Sequence, residues 1–167
     1  MIYPFYVDVE WKPHDPDKWT PLVPVRTVSL AFPGNNGVCE NTFNVEQNPE
    51  DWTNVGTWIR EFVSSRPALP VGFDLRSKIW PSLIANLVAR NLSLPPKLVM
   101  LSGRWNNVDM TDVKTLFLQG AYLPEQTLKD LSLKRVYQFI CPDDDAAVSR
   151  CIMIHKILGK YMEAAKV

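Results

Sequence analysis

The chain has 167 residues, 46% of them hydrophobic and 22% charged, the balance of a single globular domain (1–167) long enough to bury a core without disulfides. Lys plus Arg and Asp plus Glu both total 18, so net charge supplies no electrostatic footprint for a polyanion. The three cysteines, Cys39, Cys141 and Cys151, have no C-x-x-C spacing, which argues against a zinc site and for reduced thiols in a cytoplasmic setting.

The first predicted element is a strand in "YPFYVDVEW", Tyr3–Trp11. Period-two alternation puts Tyr3, Phe5, Val7, Val9 and Trp11 on one face and Tyr6, Asp8 and Glu10 on the other. The two carboxylates then lie side by side, roughly 6–7 Å apart along the backbone. A fold tolerates that repulsion more readily when something positive sits between them. A Pro-rich loop follows. "VPVRTVSLAF", a turn at "GNNG" and "VCENTFNV" then predict two more strands of an antiparallel meander.

"NPEDWTNVGTWIREFVSS" reads as a helix starting at Asn48-Pro49, with Trp52, Val55, Ile59, Phe62 and Val63 as its apolar stripe. "PALPVGF" is a short buried strand, and "SKIWPSLIANLVARNL" a helix that tolerates Pro81 only near its first turn. "KLVML" predicts a further strand. "DMTDVKTLFLQGA" and "LSLKRVYQFI" predict short helices, and "DDAAVSRCIMIHKILGKYMEAA" a terminal one with acids in its first turn. No run approaches the ~18 apolar residues of a membrane span, and no leader precedes the first strand, so the expected protein is soluble and has no membrane partner. Three consecutive strands followed by helix, strand and helices describe an α/β mixed sheet flanked by helices.

Acids recur at the ends of these elements: Asp8 with Glu10, Asp74, Asp109, and Asp143-Asp144-Asp145. Carboxylates brought together in this way suit Mg²⁺ or Mn²⁺, and two such ions ~3.5–4 Å apart clamp the oxygens of a phosphodiester. Each acid also has a plainer role. Asp8 and Glu10 suit a solvent-facing stripe on an edge strand. Asp74 and Asp109 suit helix caps, and Asp143 to Asp145 suit a helix N-terminus. His14 and His155 read as surface or packing residues. Most of the six tryptophans read as core, Trp11 and Trp19 being the ones placed to touch a substrate.

The order of these motifs resembles the DnaQ-like, DEDD-type 3′–5′ exonucleases of the RNase H-like superfamily, and is most similar to the subgroup related to the proofreading domain of family-B DNA polymerases. "YVDVEW" matches the family's D-x-E strand through Asp8 and Glu10. "VGFDLRSKIWPSL" fits the frame GFN-x-x-x-FDLP-x-L from Gly72 to Leu83. "RWNNVDMTDVKTLF" is similar to R-Y-x-x-x-x-D-L-x-D-L, with Asp109 and Asp112 on its acidic positions. "LSLKRVYQFI" and "DDDAAVSRCIMIHKIL" echo the S-L-K helix and the final acidic motif. The resemblance implies an RNase H-like sheet with antiparallel strands 1–3 plus parallel strands. It further implies Mg²⁺ or Mn²⁺ held by Asp8, Glu10, Asp74 and Asp145 (or Asp144), with Asp8 bridging. Trp11 and Asp109 would lie against the substrate, a DNA or RNA 3′ end cut by metal-assisted hydrolysis.

Two departures from the family pattern imply an alternative. In the gapless fit the second motif's metal-binding acid falls on Ile79, although sliding the frame onto Phe73-Asp74-Leu75 restores one. No His or Tyr stands four or five residues before Asp144 or Asp145 to serve as general base, a loss of ~10²–10⁴-fold. The alternative is a catalytically inactive member of the fold that binds nucleic acid or a protein partner.

Overall fold

A computed structural model describes residues 1–92, 94, 110–121 and 131–165, with side chains at 120 and 121 excepted. Five strands form one sheet: β1 (Tyr3–Trp11), β2 (Val25–Gly34), β3 (Gly37–Phe43), β4 (Ala68–Gly72) and β5 (Thr111–Asp112). Their spatial order is β3-β2-β1-β4-β5. The first three form an antiparallel meander, while β4 pairs parallel with β1 and β5 parallel with β4. The described α-helices are α1 (Asp51–Ser64), α2 (Trp80–Ala89), α3 (Val113–Ala121), α4 (Leu133–Ile140) and α5 (Arg150–Ala164). This α/β mixed sheet flanked by helices has the RNase H-like arrangement.

The meander follows from local chemistry. Gly34 pairs with Gly37 across Asn35-Asn36, a two-residue turn, and Gly37 has a φ of +119° that L side chains rarely adopt. Burial then places β1 at the centre of the sheet. Phe5, Val7 and Val9 pack with Trp52, Val55 and Ile59 of α1 and Leu83 and Leu87 of α2. On the opposite face Tyr6, Ala31 and Val71 pack with Val136, Tyr137, Ile154 and Ile157 of α4 and α5. The alternation expected for β1 is therefore correct. Its position is not that of an edge strand, because β2 and β4 flank it on both sides.

The passage from β4 into α2 is irregular for a reason visible in the sequence. Asp74 adopts a left-handed conformation, φ 58° and ψ 31°. Leu75–Ile79 then forms one wide π-turn, in which the Ile79 N–H donates to the Asp74 carbonyl at 3.1 Å. Pro81 follows within the first turn of α2. Proline lacks an N–H and its ring crowds the preceding turn, so a widened turn just before it keeps the donors ahead of it satisfied.

Three boundaries differ from expectation. Helix α1 starts at Asp51 rather than at Asn48-Pro49, after a turn closed by Asp51 N–H to the Asn48 carbonyl. "DMTDVKTLFLQGA" opens as the short strand β5 before turning helical. The terminal helix α5 begins at Arg150 with Ser149 as its cap, whose Oγ accepts from Ile152 N–H. The expected acidic first turn is absent there, since Asp143 to Asp145 lie in the preceding turn. "KLVML" and Asp109 lie outside the described residues. Among the described residues no helix is long and apolar enough to cross a membrane.

Candidate functional site

In open α/β sheets, ligands bind beyond the carboxyl ends of the parallel strands. Where the parallel pairing of β1, β4 and β5 ends stand three acids. Asp8 follows Val7, whose carbonyl lies against Gly72 of β4. Asp74 follows Gly72 by two residues. Asp112 pairs directly with Gly72 across the parallel β4–β5 ladder.

Asp8 is 6% exposed, far below what an unpaired carboxylate normally tolerates. Its partner is Arg150, the first residue of α5, whose Nε donates to Oδ2 at 2.9 Å. The Arg150 side chain is half exposed. The other Asp8 oxygen, Oδ1, is buried without a hydrogen-bond partner. Burial pushes the Asp8 carboxyl above the usual carboxylate range, and the Arg150 guanidinium opposes this only in part. The cap of α5 is tied to the sheet as well, since Ser149 Oγ donates to Glu40 Oε2 of β3 at 2.6 Å. The start of α5 is thereby tied to the sheet beside Asp8.

Asp74 repeats the pattern. Its Oδ1 accepts from Lys114 Nζ of α3 at 2.9 Å, and its backbone N–H donates to Asp112 Oδ1 at 3.1 Å. Asp112 Oδ1 also accepts the Lys114 N–H at 3.0 Å and so caps α3. Burial pushes the Asp112 carboxyl up, and the neighbouring Asp74 charge pushes it further.

The remaining acids have other duties. Glu10 shares the face of Asp8 but is exposed, and meets Arg26 at 3.3 Å; an exposed pair of this kind contributes ~0–1 kcal/mol. Asp145 Oδ1 accepts from Ala147 N–H, a local turn closed on itself, while its backbone carbonyl takes the Tyr137 hydroxyl at 2.7 Å. Asp144 faces Lys156 at 3.6 Å. Trp11 lies on the opposite face from Asp8, where its Nε1 donates to Ser82 Oγ and its ring meets Trp19 edge-on. Ile79, where the family pattern calls for an acid, is 2% exposed within the α1–α2 core.

The nearby aromatic and imidazole groups are committed to each other. Tyr6 Oη and His155 Nδ1 are 2.6 Å apart. Burial pushes the Tyr6 phenol up to about 12 and the His155 imidazole down. Tyr6 therefore donates, and His155 is a neutral acceptor that packs α5 against β1.

The structure thus brings Asp8 and Asp74 to one end of the sheet, together with Asp112. Among the described residues, no three His, Cys, Asp or Glu side chains gather closely enough to hold a metal ion. One oxygen of Asp8 is taken by a guanidinium and one of Asp74 by an ammonium. The residues present do not fit the two-ion centre that the resemblance implies. Arg150 and Lys114 escape a search for acids at element ends because they are basic. The readable signals were Lys114 two residues after Asp112 and Arg150 directly after a capping Ser149. No protein-family model matches the chain, and no curated protein matches it in sequence.

Proposed function

We propose that this chain is a module of the 3′–5′ exonuclease type that holds the 3′ end of a DNA or RNA strand without hydrolysing it. The observation that carries the reading is the pair of ion pairs Arg150–Asp8 and Lys114–Asp74. They engage the two acids that the motif order assigns to cation binding. A guanidinium or an ammonium neutralises a carboxylate, but it leaves no open coordination position for an attacking water. The RNase H-like strand order, with Asp8 just past the β4-paired part of β1 and Asp74 just past β4, supports the exonuclease parentage. A cytoplasmic setting agrees with the three free thiols of Cys39, Cys141 and Cys151.

One observation favours a hydrolytic second reading: the buried, unpartnered Oδ1 of Asp8 is a lone-pair site that Mg²⁺ or Mn²⁺ would satisfy. A single assay separates the two. The protein is incubated with 3′-labelled single-stranded DNA and RNA, in Mn²⁺ and in EDTA. The expected result is retarded, full-length strands in both. Metal-dependent shortening that disappears in Asp8→Ala would instead establish the nuclease. Absence of binding in both conditions would overturn the nucleic-acid assignment and leave a protein partner as the object of search.

A further inference from the structure

Away from the acids, toward the amino end of β1 and on the sheet face opposite Asp8, the surface opens into a cavity of about 360 Å³. That volume lies within the ~300–1,000 Å³ of small-molecule sites. The lining is Phe32 of β2, Trp58, Glu61 and Phe62 of α1, and Ser65 and Arg66 just beyond it. Phe62 stacks on Trp58 with ring centroids 5.1 Å apart and planes 1° from parallel, and Phe32 closes against both. Phe62 is buried, whereas Trp58 and Phe32 are only partly so and present ring surface to the cavity. Two charges stand at this aromatic wall. The Arg66 guanidinium carbon lies 4.3 Å over the Phe62 ring and 5.9 Å from that of Tyr3, while its Nε donates to Ser65 Oγ at 3.1 Å. Among the described residues, nothing accepts from Arg66 Nη1 or Nη2, and the exposed Glu61 carboxylate has no partner.

A guanidinium oriented by stacking, with its edge donors free, is preorganised for a phosphate or carboxylate. Partly exposed Trp and Phe rings take the face of a base, and a free carboxylate accepts the N–H groups of a base edge. An aromatic acid would satisfy Arg66 and the rings but would leave Glu61 without a donor. From this set of groups we infer that the cavity is a binding site for a nucleoside monophosphate. The base lies on Trp58 and Phe32 with its N–H groups toward Glu61, and the phosphate meets Arg66. Such a nucleotide is either free or one unit of a single strand, since both present the same ring and the same anion. The inference does not rest on the 3′-end reading, because its site lies across the sheet from Asp8 and a free mononucleotide tests it.

The ¹⁵N-labelled full chain is titrated with AMP, and the Trp58 indole N–H and Arg66 Nε–H resonances are followed. Both should shift saturably. Adenosine, which lacks the phosphate, and phenyl phosphate, which lacks the base N–H groups, should each bind roughly ten-fold or more weakly. Arg66→Gln should weaken AMP by a similar factor and leave adenosine unchanged. Glu61→Gln should weaken AMP and leave phenyl phosphate unchanged, and its exposed position keeps the test available should Arg66→Gln fail to fold. Equal binding of AMP and adenosine overturns the inference. So do AMP shifts confined to the Asp8 end of the sheet, or no saturable shift at millimolar AMP. Single-stranded oligoadenylate separates the two sources. A strand bound more tightly than AMP, and weakened by Arg66→Gln, identifies a nucleotide within a strand; one bound no more tightly identifies a free nucleotide.

Discussion

Asp8 sits where two costs meet, because it is nearly buried and its compensating charge is half in water. Desolvation wins, and its carboxyl titrates above the ordinary range of about 3.9. A raised native pKa means that the folded state keeps its proton after the unfolded chain has released it. The stabilisation is then complete below the unfolded pKa and is lost as pH rises through the native one. Asp8→Asn removes that slope. In urea titrations from pH 4 to 7, the stability of Asp8→Asn relative to wild type should therefore improve as pH rises through the native Asp8 pKa, whatever its offset at pH 4. A difference that stays flat across this window would show that burial does not raise the Asp8 carboxyl. Asp112 is shifted in the same direction, by burial and by Asp74, so wild type and Asp8→Asn share a residual slope that cancels in their difference.

At the scale of elements, the close approach of β1 and β4 positions both acids, and Gly72 permits it. A Cβ at Gly72 would meet the Val7 carbonyl oxygen at 3.0 Å and Leu75 Cδ1 at 3.1 Å. The first neighbour is backbone of the central strand and cannot rotate away. Gly72→Ala should cost ~1–3 kcal/mol, as overpacking does, read as a lower urea midpoint at an unchanged m-value. A midpoint equal to wild type would mean that the strands can part at no cost. Most of this framework was readable in advance. Alternation in "YPFYVDVEW", the "GNNG" turn and the stripe Trp52-Val55-Ile59 are local patterns, and local patterns are what a sequence displays. The start of α5 was misread because acids favour a helix N-terminus in general, whereas here Ser149 caps it and the acids close a turn through Ala147 N–H. The cations at the site were missed for a different reason. Asp8 and Arg150 are separated by 142 positions, and no period or spacing reports a contact of that range.

Over the whole molecule, the sheet is covered on both faces, and the departures from the exonuclease pattern belong to different layers of that structure. Arg150 and Lys114 lie at the rim, while Ile79 lies inside the core with Trp80, Leu83 and Leu87. A single substitution therefore cannot build the acid set that the exonuclease pattern calls for. Ile79→Asp removes a fully buried aliphatic side chain, a change that costs ~2–5 kcal/mol even when the replacement is alanine. It also places a carboxylate in a buried apolar cluster, at a further cost of several kcal/mol. Against a total stability of ~5–15 kcal/mol for a domain, the sum approaches or exceeds what the fold has. Ile79→Asp should show no cooperative thermal transition by circular dichroism, whereas Ile79→Val, at ~0.5–1.5 kcal/mol, should melt a few degrees below wild type. A folded Ile79→Asp with a near-wild-type melting temperature would mean that the position can swing toward Asp8 and Asp74. In that event one substitution would suffice to add an acid beside Asp8 and Asp74, and the core would not be what excludes one.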